Sequence, residues 1–231
     1  MKATQLKTSR LATGLTQVQL AKKLGKSQGY VSLLERGLRS PSMSLAERLA
    51  RVLELPPAAR PLRVGKRGLG KFGTDRAAKS LATLGYTGFA YMGSSNAPAN
   101  PTAVLLKTLA AKRVDARLVE AMPWLLLRFG DFDREQTTRL AYSHGLQNRL
   151  GFVVALAKSV AERHAEYAHR LPELNGLLSS LEPLRLARED DLGQQLTSER
   201  LREWIRENRS EAAAHWNVLT DLGTEHLSYV N

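Results

Sequence analysis

Cysteine is absent from the 231 residues. That excludes disulfides, thiol catalysis and cysteine-ligated zinc, and it fits a reducing cytoplasm. Isoleucine occurs once, at Ile205, aromatic residues make up only 6%, and alternating apolar/polar stretches are lacking, so little favours sheet. No apolar run approaches the roughly 18 residues needed to span a bilayer, and the opening MKATQLKTSR has no apolar signal region. The expectation is a soluble, cytoplasmic, all-α protein without membrane association, long enough for two domains.

Catalytic constellations are missing as well. His164 and His169 are five residues apart, which places them about 140° apart around a helix, so they cannot share a metal. His144 stands alone. Asp190 and Asp191 are adjacent and would diverge on a helix, which suits capping or solvation better than paired acid catalysis. No Gly-x-Ser-x-Gly elbow and no His-Glu-x-x-His occurs. Residues 65–71, GKRGLGK, have the glycine and lysine spacing of a phosphate-binding loop, but Phe72 stands where Ser or Thr should hold magnesium. Only Leu62 and Val64 are available for the strand that should precede it. No enzyme, cofactor or metal site is expected.

Acid is scarce at one end of the chain. The net charge is +12, yet residues 1–80 hold 17 of the 34 Lys and Arg and only 4 of the 22 Asp and Glu, a local net of +13. Residues 81–231 are nearly neutral. A one-ended basic footprint is what a phosphate-binding surface needs.

Inside that footprint, residues 15–42 read LTQVQLAKKLGKSQGYVSLLERGLRSPS. Thr16 and Gln19 have capping-box spacing, so a helix starts there. Leu15, Leu20 and Leu24 face the core, and Ala21 is small where a second helix passes. Gly25 permits a left-handed stop, Ser27 caps the next helix, and Val31 and Leu34 bury it. The outward positions are base readers on the first side: Gln28 suits an adenine edge, Tyr30 and Leu33 suit a thymine methyl or the sugar backbone, and Gly29 permits close approach. Gln17, Ser27, Ser32, Arg36 and Arg39 are placed for phosphates, which position without reading sequence.

Gly14, Leu15, Thr16, Gln17, Leu20, Ala21, Gly25, Ser27, Val31, Ser32, Glu35, Gly37, Arg39, Pro41 and Ser42 resemble the lambda-repressor-like, or XRE-type, helix-turn-helix family over about residues 4–57. The pattern departs at Leu38, where a lysine or arginine is common. The resemblance implies a five-helix domain that binds a double-stranded DNA operator, as a homodimer, and represses.

Ser44 and Glu47 are a second capping box opening the helix that closes this domain, and Pro56 and Pro57 stop it. The expected organisation is a DNA-binding domain over 1–58, a basic glycine-rich linker over 59–75 and a helical domain over 76–231. In the linker, Lys66, Arg67 and Lys71 are either an arm along the DNA or a solvated tether. Helices are expected over 76–85, 101–112, 115–129, 133–144, 147–169, 173–187, 198–208 and 210–221. Trp124, Trp204 and Trp216 sit among leucines and read as core. Gln147, Asn148 and Arg149, and Trp216 and Asn217 near the tail, are either contacts for a partner or ligand, or a satisfied internal network.

Taken with the resemblance, the chain reads as a sequence-specific transcriptional regulator, an autorepressor. The helix-turn-helix family also implies an antitoxin role, with the helical domain binding a cognate toxin. The alternative is a ligand-responsive regulator with a small-molecule pocket in that domain.

Overall fold

The computed structural model describes residues 3–62, 68–70, 72–93, 98–111, 114–130, 132–193, 198–227 and 229. The chain divides into two compact units, Met1–Arg63 and Val64–Asn231. Helix dominates both.

The first unit holds α1 (Ala3–Ala12), α2 (Gln17–Leu24), α3 (Gln28–Glu35) and α4 (Met43–Val52). Leu6, Leu20, Leu24, Val31, Leu34 and Leu49 meet in one core. Burying each such side chain contributes about 1.5–3 kcal/mol. Ser42, not Ser44, caps α4, its hydroxyl accepting from the Leu45 amide at 3.4 Å. The fifth helix implied by the resemblance is a single 3-10 turn, Pro57–Ala59. Glu54 takes a left-handed φ of 49° just after α4, and the two prolines that follow remove the amide donors a longer helix would need.

The second unit holds α5 (Thr74–Leu84), α6 (Pro101–Leu109), α7 (Ala116–Arg128), α8 (Arg134–Ser143), α9 (Gln147–Arg163), α10 (Leu171–Leu181), β1 (Asp190–Asp191), α11 (Glu199–Asn208), α12 (Glu211–His215) and β2 (Val218–Leu219). Eleven of the residues of α9 are buried, because α6, α7, α8, α10 and α12 all pack on it. Gly151, in its second turn, admits the Trp216 ring so closely that a Cβ would overlap it.

Several expectations need correction. The helix from residue 147 stops at Arg163, with His164 extended at φ −119°; the chain then turns back so that Leu174, Leu177 and Leu181 of α10 meet the same core. The helix from residue 210 stops at His215. Asn217 adopts φ 50°, a conformation asparagine tolerates better than most, and this turns Val218 and Leu219 into a parallel pairing with Asp190 and Asp191. The two acids therefore sit on a short strand. Within the segment read as a linker, Ala59 lies in the first core, Leu69 lies in the second and α5 already begins at Thr74. Trp216 is buried, whereas Trp204 is 54% exposed, because α11 turns only Ile205 fully inward.

Candidate nucleic-acid interface

Local chemistry positions the two helices of the motif. Thr16 Oγ1 accepts from the Gln19 amide at 3.1 Å, and the Gln19 side chain accepts from the Thr16 amide at 2.8 Å. This reciprocal cap starts α2. Gly25 ends it at φ 61°. A Cβ there would meet nothing within 4 Å, so the left-handed backbone alone calls for glycine. Ser27 then starts α3 by accepting from the Tyr30 amide at 3.2 Å.

Side chains from three helices lock this pair. Arg10 of α1 donates through Nε to Glu35 Oε1 at 2.5 Å and through a second nitrogen to Glu35 Oε2 at 3.1 Å. It also donates to the Leu15 carbonyl at 2.7 Å. Both members of the ion pair are buried. Gln17 donates to Glu35 Oε2 at 2.8 Å, and Gln28 donates to Gln17 Oε1 at 2.7 Å. The chain Arg10–Glu35–Gln17–Gln28 thus runs from the core to the exposed start of α3. It fixes the Gln28 amide and leaves its carbonyl oxygen free of this chain of bonds.

Burial pushes the Glu35 carboxyl up, but hydrogen bonds from Arg10 and Gln17, with the charges of Arg10 and Lys7, outweigh it and hold the group below its ordinary 4.5. The hydrogen bond to Glu35 raises Arg10. A carboxyl depressed in the folded state stabilises fully above its unfolded value, and the contribution is lost as pH falls through the folded value. The first unit should therefore hold its thermal midpoint down to about the ordinary carboxylate range and lose it progressively in stronger acid. Circular dichroism melts against pH measure this, with Glu35→Gln expected to remove that part of the slope. Retention of the full slope in Glu35→Gln would assign it to other carboxyls.

The expected site residues separate into groups. Gln28, Gly29, Ser27, Arg36 and Arg39 are exposed, Gln17, Ser32 and Leu33 half-buried. Space over Gly29 is open. Gln17 is held by its neighbours and so orients Gln28. Tyr30 is half-buried against the core, with Arg39 5.1 Å and Lys26 5.9 Å from its ring centre. Lys66, Arg67 and Lys71 lie outside the described residues.

In the second unit, two of the polar residues singled out, Asn148 and Asn217, share the Leu186 carbonyl. Asn148 donates to the carbonyls of Leu186 and Arg188 at 3.0 and 3.1 Å and accepts from the Leu186 amide at 2.8 Å. Asn217 also donates to Leu186, at 2.9 Å. Arg149 donates to the Leu109 carbonyl at 2.7 Å and pairs with Asp190 at 2.8 Å. Trp216 fills the space over Gly151 and Gln147 is buried. Asn148, Arg149 and Asn217 bond within the fold because four chain segments converge there, which sequence spacing alone does not reveal, whereas the buried Gln147 Oε1 has no hydrogen-bond partner among the described residues. Among the described residues no group of His, Asp and Glu could hold a metal, and no helix is long and apolar enough to cross a membrane.

Two features of the interface escaped the sequence reading. Lys26, in the turn, carried only the signal of being a cation one residue before a cap. The Arg10–Glu35 pair was signalled by Arg10 following Leu6 at i, i+4, a charge within an apolar stripe.

Two capped helices joined by a left-handed glycine, the second offering an exposed polar edge, define a helix-turn-helix DNA-binding unit. Residues 6–59 match the helix-turn-helix family. An uncharacterized HTH-type transcriptional regulator from Methanothermobacter thermautotrophicus is 42% identical over 50 residues, which covers 22% of this chain and 72% of that protein. The chain belongs to the helix-turn-helix family, of the lambda-repressor-like type. No solved structure matches it.

Proposed function

We propose that this DNA-binding transcriptional regulator acts as a homodimer in the cytoplasm on an operator in its own upstream region and represses it. The observation that carries the reading is the held Gln28 amide at the start of an exposed α3. A glutamine oriented before contact reads a base at lower entropic cost than a free one. The surrounding cations supply the attraction to phosphate.

The test is binding to that upstream duplex against a shuffled one at about physiological salt. A preference of about 10³-fold or more marks a specific regulator; equal binding leaves a basic nucleic-acid binder and removes the operator reading. Gln28→Ala should relax preference at one base position at a cost of about 1–3 kcal/mol. Arg36→Ala should instead weaken all duplexes alike and lower the salt slope by about 1. Identical behaviour of the two variants would show that α3 is misassigned.

For the second unit the reading is a protein partner, in the manner of an antitoxin holding its toxin, with no chemistry of its own. Tyr91, Tyr142 and Trp204 are exposed there, and such aromatics anchor protein interfaces, whereas Asn148, Arg149 and Asn217 already bond within the fold. Co-purification with the product of a neighbouring gene, toxic when expressed alone, supports it. Midpoint shifts with a metabolite and none with any neighbouring product would favour a ligand-responsive regulator.

A further inference from the structure

Tyr30 sits where a base reader was expected, but its ring has another occupation. It packs on the core of the first unit on one side, while two cations approach the ring from the turns flanking α3. Lys26 precedes the helix, and its Nζ lies 5.9 Å from the ring centre. Arg39 follows the helix, and its guanidinium carbon lies 5.1 Å away. Both distances are within cation–π range. Among the described residues neither cation has a carboxylate within ion-pair distance. Two like charges gathered at one ring repel each other, and an anion between or beside them relieves that repulsion.

We propose that Lys26 and Arg39, held by the Tyr30 ring, form a clamp for DNA backbone phosphate, with Tyr30 as its positioning residue and not a base reader. The inference rests on the DNA-binding role of α3 and adds Lys26 to the contacts assigned there. The ring orders two long, flexible side chains before contact, so less rotamer freedom is lost when a phosphate arrives. Because the clamp touches only phosphate, it contributes equally to every sequence.

The test measures affinity of the full chain against salt concentration for the upstream duplex and a shuffled one. Tyr30→Phe keeps the ring and should retain wild-type affinity, preference and salt slope. Tyr30→Leu keeps apolar packing but removes the aromatic face. It should weaken both duplexes alike and lower the slope by about 1. Lys26→Met and Arg39→Met should each do the same in the wild-type background, and Lys26→Met should do less in the Tyr30→Leu background. Lys26→Met and Arg39→Met lie on the surface and read the clamp even if Tyr30→Leu fails to fold. A changed base preference in Tyr30→Phe overturns the proposal, as do wild-type slopes in the two methionine variants. Wild-type protein that binds neither duplex overturns both this inference and the DNA-binding reading. Equal binding to both duplexes removes only base reading, and the same slopes then decide the clamp.

Discussion

Arg10→Met is expected to cost about 3–5 kcal/mol, because it leaves the Glu35 carboxylate buried with Gln17 as its remaining donor. Domains are stable by about 5–15 kcal/mol, so the loss is a large share of what holds the first unit folded. Adding Glu35→Leu to Arg10→Met removes the stranded charge and should recover much of the loss, since an apolar pair of similar volume is often neutral. The double variant should nevertheless not recover base preference. Gln17 has lost the acceptor that aims it, and Gln28 has lost the fixed Gln17 that aims it in turn. Thermal unfolding of the three proteins, with operator binding of the double variant, separates stability from recognition. A double variant that folds and still discriminates bases as wild type does would show that the network beneath α3 is structural only.

Trp216→Ala should cost about 3–5 kcal/mol in the second unit, the range for emptying a large aromatic from a core. The ring lies against Gly151 of α9, and the next residue, Asn217, turns the chain into β2. Loss of Trp216 therefore loosens both the core and the approach of β2 to β1. Gly151→Ala attacks the same contact from the other side and should cost about 1–3 kcal/mol by overpacking. Since the two changes share one space, the double variant should cost clearly less than the two single losses together. Denaturant unfolding of the single and double variants provides the comparison, and strict additivity would mean the ring and the helix do not depend on each other.

What was legible in the sequence was what short-range chemistry decides. Thr16 with Gln19, Gly25, and Ser27 mark both ends of α2 and the start of α3 to the residue, because caps and left-handed turns act within four residues. Asn100 before Pro101 marked α6 in the same way. The ends of α9 and α12 were not legible. Nothing between residues 163 and 169 breaks a helix on its own; α9 ends there because the chain returns to bury α10. Asn217 is an ordinary helix-tail residue until β1, 28 residues earlier in register, offers the residues after it a partner strand. Within the interface, the exposure of Gln28, Gly29 and Arg36 was readable from periodicity, whereas Tyr30, Ser32 and Leu33, read as outward, are half-buried. The support beneath Gln28 was not readable, since Arg10 and Glu35 are 25 residues apart and only the folded chain brings them together. Trp204 was misjudged because hydrophobic identity does not say which face of a thin amphipathic helix looks outward.

α11 buries only Ile205 fully and is otherwise held by guanidinium–carboxylate pairs: Arg202 to Asp191 at 2.8 Å, Arg206 to Glu189 at 2.9 Å, and Arg209 just beyond the helix to Glu189 at 3.5 Å. Such part-exposed pairs are weak individually and weaken further with salt. A segment held this way opens locally at a lower free energy than the α9 core. Where reclosing is faster than cleavage, a protease meets the open form in proportion to its population. Limited proteolysis should therefore cut at α11 before the α9 core, faster at high salt, and a partner that covers α11 would slow that cut.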